Sequence, residues 1–301
     1  MRKALVIVNP SVGAAATAEL RDELVNHFPA AGIVCEFYET QPDVRAGEAI
    51  RARLVGGLDF VVAAGGDGTV AAAVDGLVGA SVPLGVVPMG TGNLVAHELG
   101  IPRGIGDAVA LLAGAPRQRR IDAMRINGRT FVLNAGVGIS AAIMHGTSQE
   151  EKQAFGPMAY VGTGIWRVPG FKPQHVEVTV DGQTRSTMAM DVAVLNCGLL
   201  TRRIYPKGAD VRLDDGHLDV LILRVRNVLD CPRYFIELLL RRPTSPLSEY
   251  LRAERKVTIH SRVPLAVQAD GDIIGHTPVE IEVLPAAVSV LVPDLTPIRA
   301  G

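Results

Sequence analysis

Cysteine is scarce. Cys35, Cys197 and Cys231 are the only three in 301 residues, far apart and without a CxxC pair, so nothing suggests a disulfide framework or a zinc cluster, and a reducing compartment is expected. Long apolar runs are missing as well. The first, residues 4–8, stops at Asn9-Pro10 and is shorter than the apolar core of a signal peptide. Every later run is interrupted by Arg, Asp or Pro well before the ~20 residues that cross a bilayer. The expectation is a cytoplasmic chain, peripheral at most at the inner membrane face. Neither sign of charge is in excess: 30 basic side chains face 31 acidic ones, for a net charge of −1. That removes the global field of a nucleic-acid binder, so no nucleic acid is expected and any anionic partner must be met locally. The seven histidines show no ligand spacing.

What is present is enough apolar material for a substantial core. Hydrophobic residues make up 48% of the chain and charged ones 20%, and 32 glycines indicate many tight turns. From residue 1 to about 122, short β-branched runs alternate with helical patterns. Residues 4–8, 33–38, 60–64 and 82–87 read as strands, and the first, third and fourth are nearly all apolar, as buried parallel strands are. Leu20, Leu24 and Phe28 share one helical face, and Pro29 closes that helix. The pattern predicts a doubly wound parallel sheet whose ligands bind at the carboxyl ends of the strands. From 123 to about 293 the chain reads as a β-rich sandwich, with strands at 176–180, 191–196, 211–223 and 256–292 and a hairpin turn at Asp181-Gly182. Helices are expected at 229–251 and between 149 and 166. The tail, 294–301, is expected to pack back on the first domain.

The strongest local signal is Gly65-Gly66-Asp67-Gly68-Thr69, a buried strand running into a glycine loop and then a helix. Glycines let backbone N–H groups approach a polyphosphate, and the helix dipole favours negative charge there. A bare anion would repel Asp67, so its carboxylate makes sense chiefly as a ligand to Mg²⁺ or its water. A plain Asp-Gly helix cap is the alternative. Two more loops follow strands: Asn9-Pro10-Ser11-Val12-Gly13, and Pro88-Met89-Gly90-Thr91-Gly92-Asn93. Singly each is a common turn. Together they describe a nucleoside triphosphate site that is neither a Walker loop nor a GxGxxG fingerprint.

NPxxG, GGDGT and PxGTGN in this order resemble the diacylglycerol kinase catalytic-domain family, which includes bacterial lipid kinases and sphingosine kinases. The likeness continues through Arg120-Ile121-Asp122, the 213–220 stretch around Asp215-Gly216, and Ala269-Asp270-Gly271-Asp272, and so covers essentially the whole chain. It implies an NAD kinase- or phosphofructokinase-like first domain and a lipid-substrate second domain enclosing a cleft. Its implied requirements are ATP and Mg²⁺. The nucleotide contacts it implies are Asn9, Thr40, Gly65, Gly66, Asp67, Gly68, Thr69, Gly90, Thr91 and Asn93. It makes Asp67 the Mg²⁺-linked acid. A second, structural Mg²⁺ falls to the Asp215 carboxylate with the carbonyls of Arg212 and His217, and Asp122 links that metal to the catalytic centre. On the residues alone, Asp215-Gly216 has a hairpin turn as its alternative reading.

Where the family usually has Asp-Gly-Glu, with the Glu as general base, this chain has Asp272, shorter by about 1.5 Å, against the ~2.6–3.2 Å contact that proton abstraction needs. Ala14 and Leu94 replace a basic residue and an Asp common in the family. Between 224 and 256, eight basic residues (Arg224, Arg226, Arg233, Arg241, Arg242, Arg252, Arg255 and Lys256) face four acidic ones. Tyr234, Phe235, Leu238, Leu239 and Leu240 add apolar surface. This reads either as a membrane-docking face or as an ordinary domain helix with solvated arginines. Phe155, Trp166 and Phe171 mark another candidate lipid entry. The leading expectation is phosphorylation of a lipid hydroxyl such as that of diacylglycerol. A kinase of a soluble hydroxyl compound resembling NAD kinase, and a nucleotide-binding regulator without catalysis, are the alternatives. A homodimer is left open.

Overall fold

The computed structural model describes residues 1–41, 45–141, 173–199, 210–224, 230, 233, 236–237 and 245–294. Two compact units emerge, Met1–Asp122 with Ala286–Gly301, and Ala123–Pro285.

The first unit runs β1 (Arg2–Val8), α1 (Ala14–His27), β2 (Ile33–Glu39), α2 (Ala46–Leu54), β3 (Phe60–Gly65), α3 (Asp67–Leu77), β4 (Leu84–Pro88), α4 (Leu94–Glu98) and α5 (Ile105–Ala113), then enters β5 (Arg117–Ile126). Its strands pair in parallel in the order β2-β1-β3-β4. β3 and β4 are buried along their whole length, which is why they read as unbroken apolar runs. α3 buries Val70, Ala73, Val74 and Leu77, the i, i+3, i+4, i+7 face of an amphipathic helix. The strand expected at 82–87 begins instead at Leu84. Pro83 has no N–H to give a ladder, and its carbonyl merely accepts from Val61 at 3.0 Å.

The second unit adds β6 (Arg129–Phe131), β7 (Asn134–Gly138), β8 (Gln174–Val180), β9 (Gln183–Ala189), β10 (Asp191–Leu195), β11 (Leu218–Leu223), β12 (Ser248–Ala253), β13 (Lys256–Ser261), β14 (Ala266–Ala269), β15 (Asp272–His276) and β16 (Val279–Val292). One sheet has the order β12-β11-β10-β7-β14-β15, and β16-β13-β8-β9 forms the other. Inward residues of both, among them Val178, Val257, Ile281, Val192, Val220 and Ile222, share one buried apolar cluster, as a β-sandwich requires. Beyond Pro285, β16 returns to the first unit and pairs in parallel with β4 at Val290 and Leu84.

Two expectations need correction. The strand expected over 211–223 starts only at Leu218, because Gly216 turns the chain at φ +82°. The helix expected over 229–251 does not reach its end: residues 248–251 lie in β12, paired antiparallel with β11. Pro243 and Pro246 are incompatible with a helix interior, and the fully buried β11 gains a ladder partner on that side. The helix expected between 149 and 166, and Phe155, Trp166 and Phe171, lie outside the described residues.

Candidate functional site

In the first unit every strand delivers its loop to the same edge, because the strands are parallel. Asn9 follows β1, Thr40 follows β2, Gly66 to Thr69 follow β3 and Gly90 to Asn93 follow β4. The strand ends are stitched together there. Thr40 N donates to the Val8 carbonyl at 2.9 Å, and Met89 N to that of Gly65 at 3.0 Å. Asn9 caps the turn Pro10–Val12, its Oδ1 accepting from Ser11 N at 3.0 Å. Asn93 stands at φ +47°. Its amide accepts from Gly90 N at 3.0 Å and donates to the Gly90 carbonyl at 2.6 Å. Its side chain therefore shapes the loop on which Thr91 is exposed.

The loops after β3 and β4 are in close approach. A Cβ on Gly90 would stand 2.5 Å from Gly66 Cα and 3.2 Å from Gly66 N, so only glycine fits there. Gly68 faces open space. Thr69 is buried, and its hydroxyl has no hydrogen-bond partner among the described residues. Such an unmet donor in the first turn of a helix suits an anionic ligand held at this loop. Asp67 Oδ1 accepts from Val95 N at 3.2 Å, which ties α3 to α4. Its Oδ2 makes no hydrogen bond among the described residues, leaving one carboxylate oxygen for a hard cation. These residues fit a phosphate chain with its Mg²⁺.

Asp122 is buried, and its Oδ1 accepts from Ala286 N at 2.6 Å. It holds the chain where β16 re-enters the first unit, at a residue with φ +48°.

In the second unit the two acids of the Asp270-Gly271-Asp272 turn are used oppositely. Asp270 (φ +47°) and Gly271 (φ +94°) form the two-residue connection between β14 and β15, the backbone of a type I′ hairpin. The Asp270 carboxylate accepts from Val132 N at 2.8 Å, Leu133 N at 2.9 Å and Asn134 N at 3.0 Å. Asp272, the first residue of β15, is exposed, and its carboxylate has no hydrogen bond or ion pair among the described residues. Sequence reasoning missed the clamp made by Asp270. The only available signal was an Asp at the first position of an Asp-Gly turn, repeated at Asp181, which accepts from Glu254 N, Arg255 N and Lys256 N at 2.7–2.9 Å.

The turn before β11 gathers a second polar cluster. One donor atom each from Asp215, His217 and Asp219 lies within 4.8 Å of the others, so the expectation that no histidine has ligand spacing is corrected. His217 and Asp219 alternate at the start of β11, which puts their side chains on one side, and the turn at Gly216 brings Asp215 beside them. Asp219 is 6% exposed, and burial pushes its carboxyl above the usual range despite the nearby His217. Tyr250 is pushed up to about 12 by burial and by the charge of Asp219. Arg212 pairs its Nε with Asp214 at 3.4 Å.

The basic stretch is less free than its composition suggests. Arg224 pairs with Glu249, Arg233 with Glu237 at 3.1 Å, and Lys256 with Glu280 at 3.0 Å. Arg226, Arg241, Arg242, Tyr234, Phe235, Leu238, Leu239 and Leu240 lie outside the described residues. No helix among the described residues is long and apolar enough to cross a membrane.

Residues 3–126 match the model of the diacylglycerol kinase catalytic domain, and residues 134–292 match that of the YegS C-terminal NAD kinase beta sandwich-like domain. The chain belongs to this family of bacterial lipid kinase-like proteins, and with it to the phosphotransferases that act on an alcohol group. It is 27% identical over 299 residues to a diacylglycerol kinase of Bacillus subtilis, covering 97% of each chain. An uncharacterized Synechocystis protein is 28% identical over 242 residues, but the match spans only 55% of that relative's length. The crystal structure of a diacylglycerol kinase from Bacillus anthracis superposes with a TM-score of 0.77 at 25% identity, over 97% of this chain and 98% of that one. Family membership implies catalysis dependent on ATP and Mg²⁺.

Proposed function

We propose that this protein is an ATP- and Mg²⁺-dependent lipid kinase that phosphorylates a lipid hydroxyl such as that of diacylglycerol, working at the cytoplasmic face of a membrane. The observation that carries the reading is the close approach of Gly90 to Gly66, which only glycine at position 90 allows, on an edge where four strand ends meet. In this reading the first unit is the nucleotide domain and the second the lipid-substrate domain. Backbone N–H groups of residues 66–68 cradle the phosphates between Gly65 and Thr69, while Asn9, Thr40 and Thr91 border them, and Asn93, which takes the Gly90 N–H, holds the loop. Asp67 holds Mg²⁺, whose charge offsets that of the phosphates. Asp122 is a positioning residue, and Asp215 belongs to a second metal position. Asp272 accepts the hydroxyl proton as the lipid oxygen bonds to the γ-phosphorus. The bond to the bridging oxygen breaks, and ADP leaves with its electron pair. Positioning and charge neutralisation account for most of the rate, as in phosphoryl transfer generally.

The test is labelled ATP offered with diacylglycerol vesicles, with NAD, and with protein alone. Label in the lipid fraction, lost in Asp272→Asn and kept in Asp272→Glu, supports the reading. Label in NAD overturns the lipid assignment. ATP binding with no transfer to either acceptor makes the protein a nucleotide-binding regulator instead.

A further inference from the structure

The cluster before β11 differs from an all-oxygen Mg²⁺ site in one respect, the side chain of His217. The ring is 8% exposed. Its Nδ1 lies 3.1 Å from the Asp215 carbonyl oxygen and 3.2 Å from Asp215 Oδ1. Both neighbours are acceptors, so Nδ1 carries the proton and donates. In the neutral ring the lone pair then falls on Nε2, on the opposite side. Nε2 is buried and has no hydrogen-bond partner among the described residues. What it faces is Asp219 Oδ2, at 4.0 Å, too far for a hydrogen bond.

A buried imidazole nitrogen and a buried carboxylate that face each other without bonding are each costly. A cation about 2.1 Å from each would satisfy both at this separation. The arrangement also has the support that metal-ligating histidines normally have, in which the far ring nitrogen donates to a carbonyl or carboxylate and so fixes tautomer and orientation. Ligand chemistry then selects the ion. Imidazole suits the borderline first-row metals, whereas Mg²⁺ prefers oxygen donors and keeps its water.

We propose that His217 and Asp219 hold a divalent first-row transition metal, with His217 Nε2 as the ligand that selects it over Mg²⁺ and Asp215 fixing the ring from its Nδ1 side. This deepens the second metal position proposed at Asp215 and is independent of which hydroxyl is phosphorylated. A metal there bridges the turn at Gly216 to the start of β11, so its effect is on folding stability.

The experiment uses the full chain stripped of metal, without nucleotide or lipid, melted across concentration series of Co²⁺ and, separately, of Mg²⁺. Co²⁺ should raise the melting temperature at a concentration at least ten-fold lower than Mg²⁺, since an ion that binds only the folded state stabilises it by mass action. His217→Gln should raise the Co²⁺ concentration required at least ten-fold and leave the Mg²⁺ series within about two-fold. If Co²⁺ and Mg²⁺ act alike on the unaltered protein, or His217→Gln leaves their ratio unchanged, the proposal is overturned. In that event Mg²⁺ stabilisation abolished by Asp215→Asn would still uphold the oxygen-only site. Should His217→Gln not fold, the imidazole signals of the unaltered protein decide: added Co²⁺ must shift the His217 ring resonances at the stabilising concentration, and unmoved resonances refute the site.

Discussion

Asp67-Gly68 in the first unit and Asp270-Gly271 in the second are the same dipeptide put to opposite uses. Asp67 opens a helix, gives one oxygen to Val95 N and keeps the other clear. Asp270 stands in the left-handed region of a hairpin, and both its oxygens are occupied by three consecutive backbone N–H groups. A carboxylate with its acceptor sites filled by the fold is a structural clamp, whereas one with an open oxygen can still take a cation or a proton. Asp272, two residues beyond the clamp, is on the open side of that division. Hydrogen-bond accounting thus separates the acids whose oxygens the fold fills from those it leaves open to a ligand, which the dipeptide cannot do.

The sharpest way to break this comparison is to exchange the effects. Asp272→Asn should lower the phosphoryl-transfer rate constant by about 10²–10⁴-fold, the usual size of a general-base contribution, while the melting temperature stays put. Asp270→Ala should act in reverse. It removes the partner of three N–H groups at residues 132–134 and puts alanine at positive φ, a loss of about 3–5 kcal/mol of stability. Denaturant titration checks this, and an Asp270→Ala protein as stable as the unaltered one would remove the clamp. Smaller still, Gly90→Ala should weaken ATP binding at least ten-fold, about 1.4 kcal/mol, by forcing the β3 and β4 loops apart, since its Cβ would stand 2.5 Å from Gly66 Cα. Calorimetry showing unaltered ATP affinity in a folded variant would discard this loop pair as the phosphate site.

The loops of the first unit were legible because each is a local string at the end of an apolar run, and parallel topology brings them to one edge. The clamp at Asp270 was not, because its partners lie 136 to 138 residues away and no local pattern points to them. Asn93 entered as a nucleotide contact through the resemblance, and its bonds to Gly90, which no local pattern announces, add a loop-shaping part to that expectation. The helix expected through residue 251 failed for a legible reason: Pro243 and Pro246 were there to stop it. His217 entered through its carbonyl, by the resemblance; its ring did not, because ligand spacing was sought among histidines alone, whereas the structure sets the ring beside Asp215 and Asp219.

The gentlest test uses the third Asp-Gly turn, Asp181-Gly182, between β8 and β9. Asp181 (φ +48°) and Gly182 (φ +91°) repeat the backbone of the Asp270 turn, and Asn127-Gly128 (φ +50° and +73°) repeats it again between β5 and β6, so asparagine is tolerated at that position. Burial tends to raise the Asp181 carboxyl, but the N–H groups of Glu254, Lys256 and Arg255, with the Arg255 charge, outweigh it and hold it below the usual carboxylate range. A lowered folded-state value means that the ionised group stabilises the fold above the unfolded value of about 3.9, and that this contribution is lost as pH falls through the folded value. Asp181→Asn keeps the turn and removes the charge. At pH 7 it should cost about 0.5–1 kcal/mol, modest because solvent screens the site, or roughly 1–4 °C in melting temperature. As the pH falls below about 4, the difference between the two proteins should shrink, because Asp181 of the unfolded chain takes up its proton first, and it should vanish once the lower folded value is passed. A gap that stays constant down to pH 3 would assign the loss to turn geometry and deny Asp181 the charged clamp that it shares with Asp270.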